Sequence, residues 1–260
     1  MPLPATELSE LYFEDDLALY RLAGYDAYDE RNEDDFAFFC TNSDVLHPLV
    51  THHSPDGGQS YFVLADSAAT FAPCPGAAAL VALHVIRDAE SQTYRVASER
   101  LPLLSFAQRW LIARGCPVEA IRMPADHPFT KPADAATVEL EERLLTSPSQ
   151  RYEVLDHYTD DHMVLTATTL VHDHDLGSRH LPFRIFHEDT DLTAHTHTLR
   201  EGAWADVGSA SQWLAERDGP LPAPHTQFPQ ASRAQPSSAA WASLGRPPSG
   251  PPPPFPGNRR

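Results

Sequence analysis

Two rhythms run along the chain. Short apolar runs bounded by polar turns mark some stretches and three/four apolar spacing marks others, and these predict strands and helices respectively. In the first part, strands are predicted at residues 61–65, 79–86 and 94–98, with Gly57-Gly58 marking a hairpin turn and the polar run 88–92 another. Further strands are predicted at 151–158, 163–171, 183–187 and 195–200. Leu103, Phe106, Trp110 and Leu111 share one face of a helix, and further helices are predicted over 7–22 and, after Pro132, over 133–145. Antiparallel strands joined by short polar turns and backed by helices make a two-layer α+β arrangement.

That pattern occurs twice. Residues 93–117 lie over 196–220 without a gap, at an offset of 103 residues. Thr93/Thr196, Ala107/Ala210, Trp110/Trp213, Leu111/Leu214, Arg114/Arg217 and Pro117/Pro220 coincide. Each segment passes from a strand into a helix that stops near Gly115 or Gly219. Ser105 with Gln108, and Ser209 with Gln212, fit the S-x-x-Q box that caps helix starts. The expected organisation is one module over 1–120, a second that repeats it over 121–220, and a tail over 221–260. The tail, rich in Pro, Ser, Ala and Gly, is expected to be disordered, because it lacks the apolar surface that offsets ordering entropy.

Charge narrows the functional field. The 260 residues carry 36 acids against 19 bases, a net charge of −17. Residues 1–219 hold 15 of the bases and all 36 acids, a net of −21, while the tail holds four arginines and no acid. A body so acidic repels phosphate backbones and anionic lipid surfaces, so direct nucleic-acid and membrane binding are both disfavoured. Lys131 is the sole lysine and only four Ile and three Asn occur, a bias expected of a GC-rich bacterial genome. The opening sixteen residues have neither a basic n-region nor an apolar h-region, and no apolar run reaches the roughly 20 residues of a membrane span. Three cysteines without C-x-x-C spacing fit free thiols in the cytoplasm.

Eight of the 14 histidines fall between His157 and His197. His172 and His174, and again His195 and His197, are two apart and would share a strand face. Four such imidazoles on neighbouring strands are the candidate ligand set for a divalent transition metal, and a metal-dependent enzyme is one alternative reading. The cupin and metallo-β-lactamase patterns fail, since Asp175, Leu176, Gly177, Ser178 and Arg179 follow His174. His197 also aligns with Tyr94 in the repeat, an exchange that suits packing. There is no G-x-S-x-G elbow, phosphate-binding glycine loop or calcium-loop spacing. No catalytic residue and no cofactor are therefore assigned.

The first forty residues interleave acids with aromatics. Tyr20, Tyr25, Tyr28, Asp29, Glu30, Asp34 and Asp35 are the candidate partner surface, combining electrostatic steering with aromatic anchoring to a basic protein partner. The aromatics, including Phe36, Phe38 and Phe39, are equally suited to a core. The helix–strands–helix order is similar to that of double-stranded-RNA-binding domains, but the lysine-rich final helix of that family is missing here. The sequence thus points to a non-catalytic cytoplasmic binding or regulatory protein. An acidic mimic of nucleic acid, held by a DNA-binding protein, is the other alternative.

Overall fold

A computed structural model of the chain describes residues 14–71, 76–124, 130–160, 165–217 and 219–224, with side chains from Leu17 onward. The first half runs α1 (Glu14–Tyr20), β1 (Asp26–Ala27), α2 (Glu30–Thr41), β2 (Leu46–His53), β3 (Gln59–Asp66), β4 (Leu80–Asp88), β5 (Thr93–Leu101) and α3 (Leu104–Ile112). The second runs β6 (Lys131–Pro132), α4 (Ala135–Thr146), β7 (Tyr152–Asp160), β8 (Leu165–Asp173), β9 (Phe183–Asp191), β10 (Thr196–Trp204) and α5 (Val207–Glu216). The protein is α+β, and no described helix is long and apolar enough to cross a membrane.

Each half forms a five-stranded sheet, ordered β1-β5-β4-β3-β2 and β6-β10-β9-β8-β7. Four strands of each form an antiparallel meander, whereas β1 pairs parallel to β5 and β6 parallel to β10. The sheets are therefore mixed and not purely antiparallel. The two-residue edge strands are too short to show any periodicity in sequence. Bulges fall between Pro48 and Val50 in β2 and between Val154 and Asp156 in β7. Pro48 lacks a donor, and the bulge lets an edge strand accept it. That interruption hides β2 from an alternation search.

Local sequence explains the helices, with two corrections. The counterpart of α4 is α2, not a helix over 7–22; the described part of that span holds only the short α1. Asp29 caps α2 by accepting from the Asn32 N–H at 2.9 Å, and Asp134 caps α4 through Thr137 N–H at 2.9 Å. The S-x-x-Q boxes do not form. Ser105 lies inside α3, whose start at Leu103 has no side-chain cap, and Asp206 caps α5 through Ser209 N–H at 2.8 Å. A carboxylate placed three residues ahead took the role assigned to the serine. The tail from residue 225 on, with Tyr12, Phe13, Cys74, His127 and His162, lies outside the described residues.

Packing forms layers. Helices α1 and α2 cover one face of the first sheet, where Tyr20, Phe36 and Phe39 meet Phe62, Leu64, Val81 and Leu83. Its other face (Val50, Tyr61, Val63, Leu80, Ala82) joins α3, α4 and the inner face of the second sheet (Tyr152, Ala167, Val171, Phe186, Leu199) in a single core. Helix α5 covers the remaining face through Ala210 and Leu214. Because α3 is packed on several sides, Ser105 through Arg109 and Leu111 are all buried, unlike a surface helix with one apolar stripe. Phe106 lies 5.9 Å from the Phe186 ring and 6.2 Å from Tyr152. Beside it, buried Arg109 donates to the Tyr152 carbonyl at 3.2 Å and to Ser147 Oγ at 3.3 Å. Gly76 permits another close approach: its carbonyl accepts from Thr159 N–H at 3.1 Å, and an added Cβ would sit 2.6 Å from the Tyr158 ring.

Removing the Phe106 ring leaves a cavity shared by both halves. Phe106→Ala is expected to cost about 3–5 kcal/mol, the range for large core aromatics. In urea unfolding followed separately by near-ultraviolet dichroism and tryptophan fluorescence, both signals are expected to shift together. A shift in one alone would show that the variant does not unfold as a single cooperative unit.

Candidate functional site

The histidines occupy different surroundings along β9. His172 is opposite Phe183, and His197 is opposite Thr190. Those β9 positions are seven residues apart, or roughly 23 Å at about 3.3 Å per residue. The four histidines His172, His174, His195 and His197 therefore do not share one site. His195 is exposed in the β9–β10 turn with φ +52°, the conformation that Gln92 has, with φ +51°, in the β4–β5 turn. His172 and His174 remain together, their ring centroids 4.3 Å apart, and Glu153 joins them.

His197 is 6 % exposed and faces inward on β10 beside Leu199. Its Nε2 lies 2.6 Å from Glu141 Oε1 on α4, and its Nδ1 lies 3.0 Å from Thr130 Oγ1. Burial pulls the imidazole pKa down, but the Glu141 hydrogen bond and the charges of Glu188 and Glu141 outweigh it, so the net shift is upward. Burial pushes the Glu188 carboxyl up to about 7, with His197 opposing and Glu141 and Asp189 reinforcing. The three side chains line a cavity of about 50 Å³ where Leu80, Pro102 and Leu104 of the first half meet Leu165 and Ala167 of the second. A few waters fit such a space, whereas small-molecule sites usually run to about 300–1,000 Å³.

This polar group stands where the first half is apolar. Counting from the capping aspartates, Glu141 on α4 matches Phe36 on α2; by strand register, His197 matches Tyr94 and Glu188 matches Val85. In the first half, the Phe36 and Tyr94 rings meet edge-to-face at 5.4 Å. At the matching positions the second half has the His197–Glu141 hydrogen bond, with the Glu188 carboxyl beside it.

Three buried polar or titratable groups of the first half are held within its core. The Cys116 thiol is buried and pushed up to about 12, leaving it protonated and unreactive at neutral pH. His84 is pushed down to about 4 by burial, stacks on Tyr61 at 4.6 Å and meets Gln59 Oε1 at 2.9 Å. It is a neutral core residue. Buried Arg87 is occupied by the carbonyls of Tyr20 and Gly57 and by Ser60 Oγ.

Comparison with protein-family models, curated proteins and solved structures gives no match.

The predicted acidic-aromatic surface divides. Tyr20 is 1 % exposed and belongs to the core, and Tyr25 packs partly against it. Tyr28 is 53 % exposed, with the Arg95 guanidinium stacked 3.6 Å from its ring centre. Asp29, Glu30 and Asp34 are exposed, and Asp35 lies 3.8 Å from Arg31. Phe38, one turn beyond Asp34, is 43 % exposed, while Phe36 and Phe39 are buried. Sequence reasoning missed Glu141, Glu153 and Glu188. Glu188 had a readable signal, since it occupies a core-facing position two residues after Phe186. Glu153 becomes a neighbour of His172 only through strand register.

The raised Glu188 pKa has a definite sign in stability. Between the ordinary 4.5 and about 7, the folded chain binds a proton that the unfolded chain has released, so this group's contribution falls as pH rises. His197 acts in the same direction above 6.5, whereas His84 acts oppositely between about 4 and 6.5. The difference between parent and Glu188→Gln isolates the carboxyl. The variant is expected to gain stability relative to the parent from pH 5 to pH 7 in urea titrations. A constant difference would contradict the assignment.

Proposed function

We propose that this chain is a non-catalytic, cytoplasmic binding or regulatory protein that acts through a basic protein partner. The observation that carries this reading is the outer line of α2, where Glu30, Asp34 and Phe38 follow one another at four-residue spacing. Tyr28 stands just ahead of that helix. Carboxylates of one sign steer a cationic partner, and a half-exposed ring supplies an apolar anchor once it arrives. The buried free thiol of Cys116 fits a reducing cytoplasm.

We also infer that the two halves are copies of one ancestral module. Supporting this are the matching strand orders and the 103-residue offset that carries β4 onto β9 and β5 onto β10. Equivalent local bonds recur as well. Val96 N–H donates to Asn32 Oδ1 at 2.9 Å, and Leu199 N–H donates to Thr137 Oγ1 at 3.1 Å. With the scaffold used twice, differences between halves point to specialised surfaces. The acidic line of α2 belongs to the first half alone: the matching positions on α4 are Ala135, Glu139 and Arg143.

Photo-crosslinking in host cells tests the interaction. A photoreactive phenylalanine replaces Phe38, or Val138 as a control that is also half-exposed on a helix. Position 38 is expected to capture a protein with an Arg/Lys-rich segment, and the yield is expected to fall at least five-fold in high salt or with Glu30→Lys/Asp34→Lys. Equal capture from both positions, or capture insensitive to charge reversal, would overturn the reading.

A further inference from the structure

We propose that Glu153, His172 and His174 form a binding site for a divalent first-row transition ion of the zinc class. One ligand atom from each side chain can be chosen so that all lie within 4.8 Å of one another. His174 Nε2 and Glu153 Oε2 are already 3.2 Å apart. Two ligands on a tetrahedral zinc, bound at about 2.0–2.1 Å, are separated by about 3.3 Å, so closing the set around an ion needs only side-chain rotation.

The fold brings these residues together by three separate means. Glu153 on β7 is the register partner of His172 on β8, which puts the two side chains side by side on one face. His174 is two residues beyond His172 and returns to that face. The intervening Asp173 points the other way and is 2 % exposed. It accepts two bonds from Arg151 at 3.0 Å each, one from Ser178 Oγ at 2.6 Å and one from Asp175 N–H at 3.0 Å.

The backbone is held on both sides of that anchor. Asp173 N–H donates to the Pro182 carbonyl at 2.7 Å, and His174 N–H donates to the Arg151 carbonyl at 2.8 Å. Phe183 stacks on the His172 ring at 5.2 Å. Support of this kind limits the rearrangement that binding requires.

The donor set defines the ion. Two imidazole nitrogens and one carboxylate oxygen suit zinc, nickel, cobalt or copper, whereas magnesium and calcium favour all-oxygen shells. With His174 and Glu153 both open to solvent, water completes the coordination. The site is not a by-product of the repeated topology. The register equivalents in the first sheet are His47, Ala65 and Ser67, which cannot make such a set.

Zinc alone is the probe, titrated by calorimetry into the full chain prepared without an affinity tag and stripped with chelator. One equivalent is expected to bind, with calcium and magnesium failing to compete. Glu153→Gln and His174→Gln should each weaken binding at least ten-fold, while His195→Gln, in the distant turn, leaves it unchanged. Both ligand variants alter exposed side chains, and unchanged unfolding midpoints would confirm that they fold. Failure to bind zinc, or an affinity that these two variants leave intact, would overturn the proposal.

Discussion

A five-stranded sheet with apolar residues on both faces cannot remain half-covered in water, and this constraint organises the molecule. On β3 and β4 the side chains alternate between two cores, with Phe62, Leu64, Val81 and Leu83 facing α1 and α2, and Tyr61, Val63, Leu80 and Ala82 facing inward. The second sheet meets the same requirement with α5 outside and a shared interior. Helices α3 and α4 therefore lie in a common middle core. Phe106 supplies its apolar contact across the halves, and Arg109 satisfies carbonyl and hydroxyl acceptors of the second half where water is excluded. At roughly 25 cal/mol per Å², the inner faces are too apolar to be left open.

The same constraint shapes the distribution of chemistry. Phe36, Tyr94 and Val85 belong to the core beneath α1 and α2 in the first half, whereas Glu141, His197 and Glu188 stand at the matching register positions of the second. A buried ion pair rarely adds stability over a well-packed apolar contact, because desolvation cancels much of the Coulombic gain. Glu141 and His197 thus place titratable groups at register positions where the first half has the Phe36 and Tyr94 rings. The features proposed for recognition and for metal lie away from the shared core: the acidic line on the outside of α2, and the Glu153–His172–His174 cluster at one end of the second sheet.

The sequence was most readable where a single local rule decided the outcome. The short apolar runs of β3 and β4, the Gly57-Gly58 turn and the apolar spacing of α3 all required only neighbours along the chain. Reading failed where distant partners decided. Pro48 and its bulge concealed β2, and Asp206 took the cap expected from Ser209. Tyr20, grouped with the acidic surface, went into the core because α1 lays it against Phe36 and Phe62. For the histidines, spacing paired His172 with His174 and His195 with His197, but only strand register could separate the pairs. It also brought in Glu153, which no sequence motif marked.

The shared interior makes the two sheets one cooperative unit. Native-state amide exchange measures it directly, by comparing the slowest-exchanging amides of β4 with those of β9. If Phe106 and the inner faces couple the halves, both sets open only by global unfolding, with free energies equal within about 1 kcal/mol. Opening of one sheet several kcal/mol below the other would instead show two independent bodies and contradict a shared core that couples them.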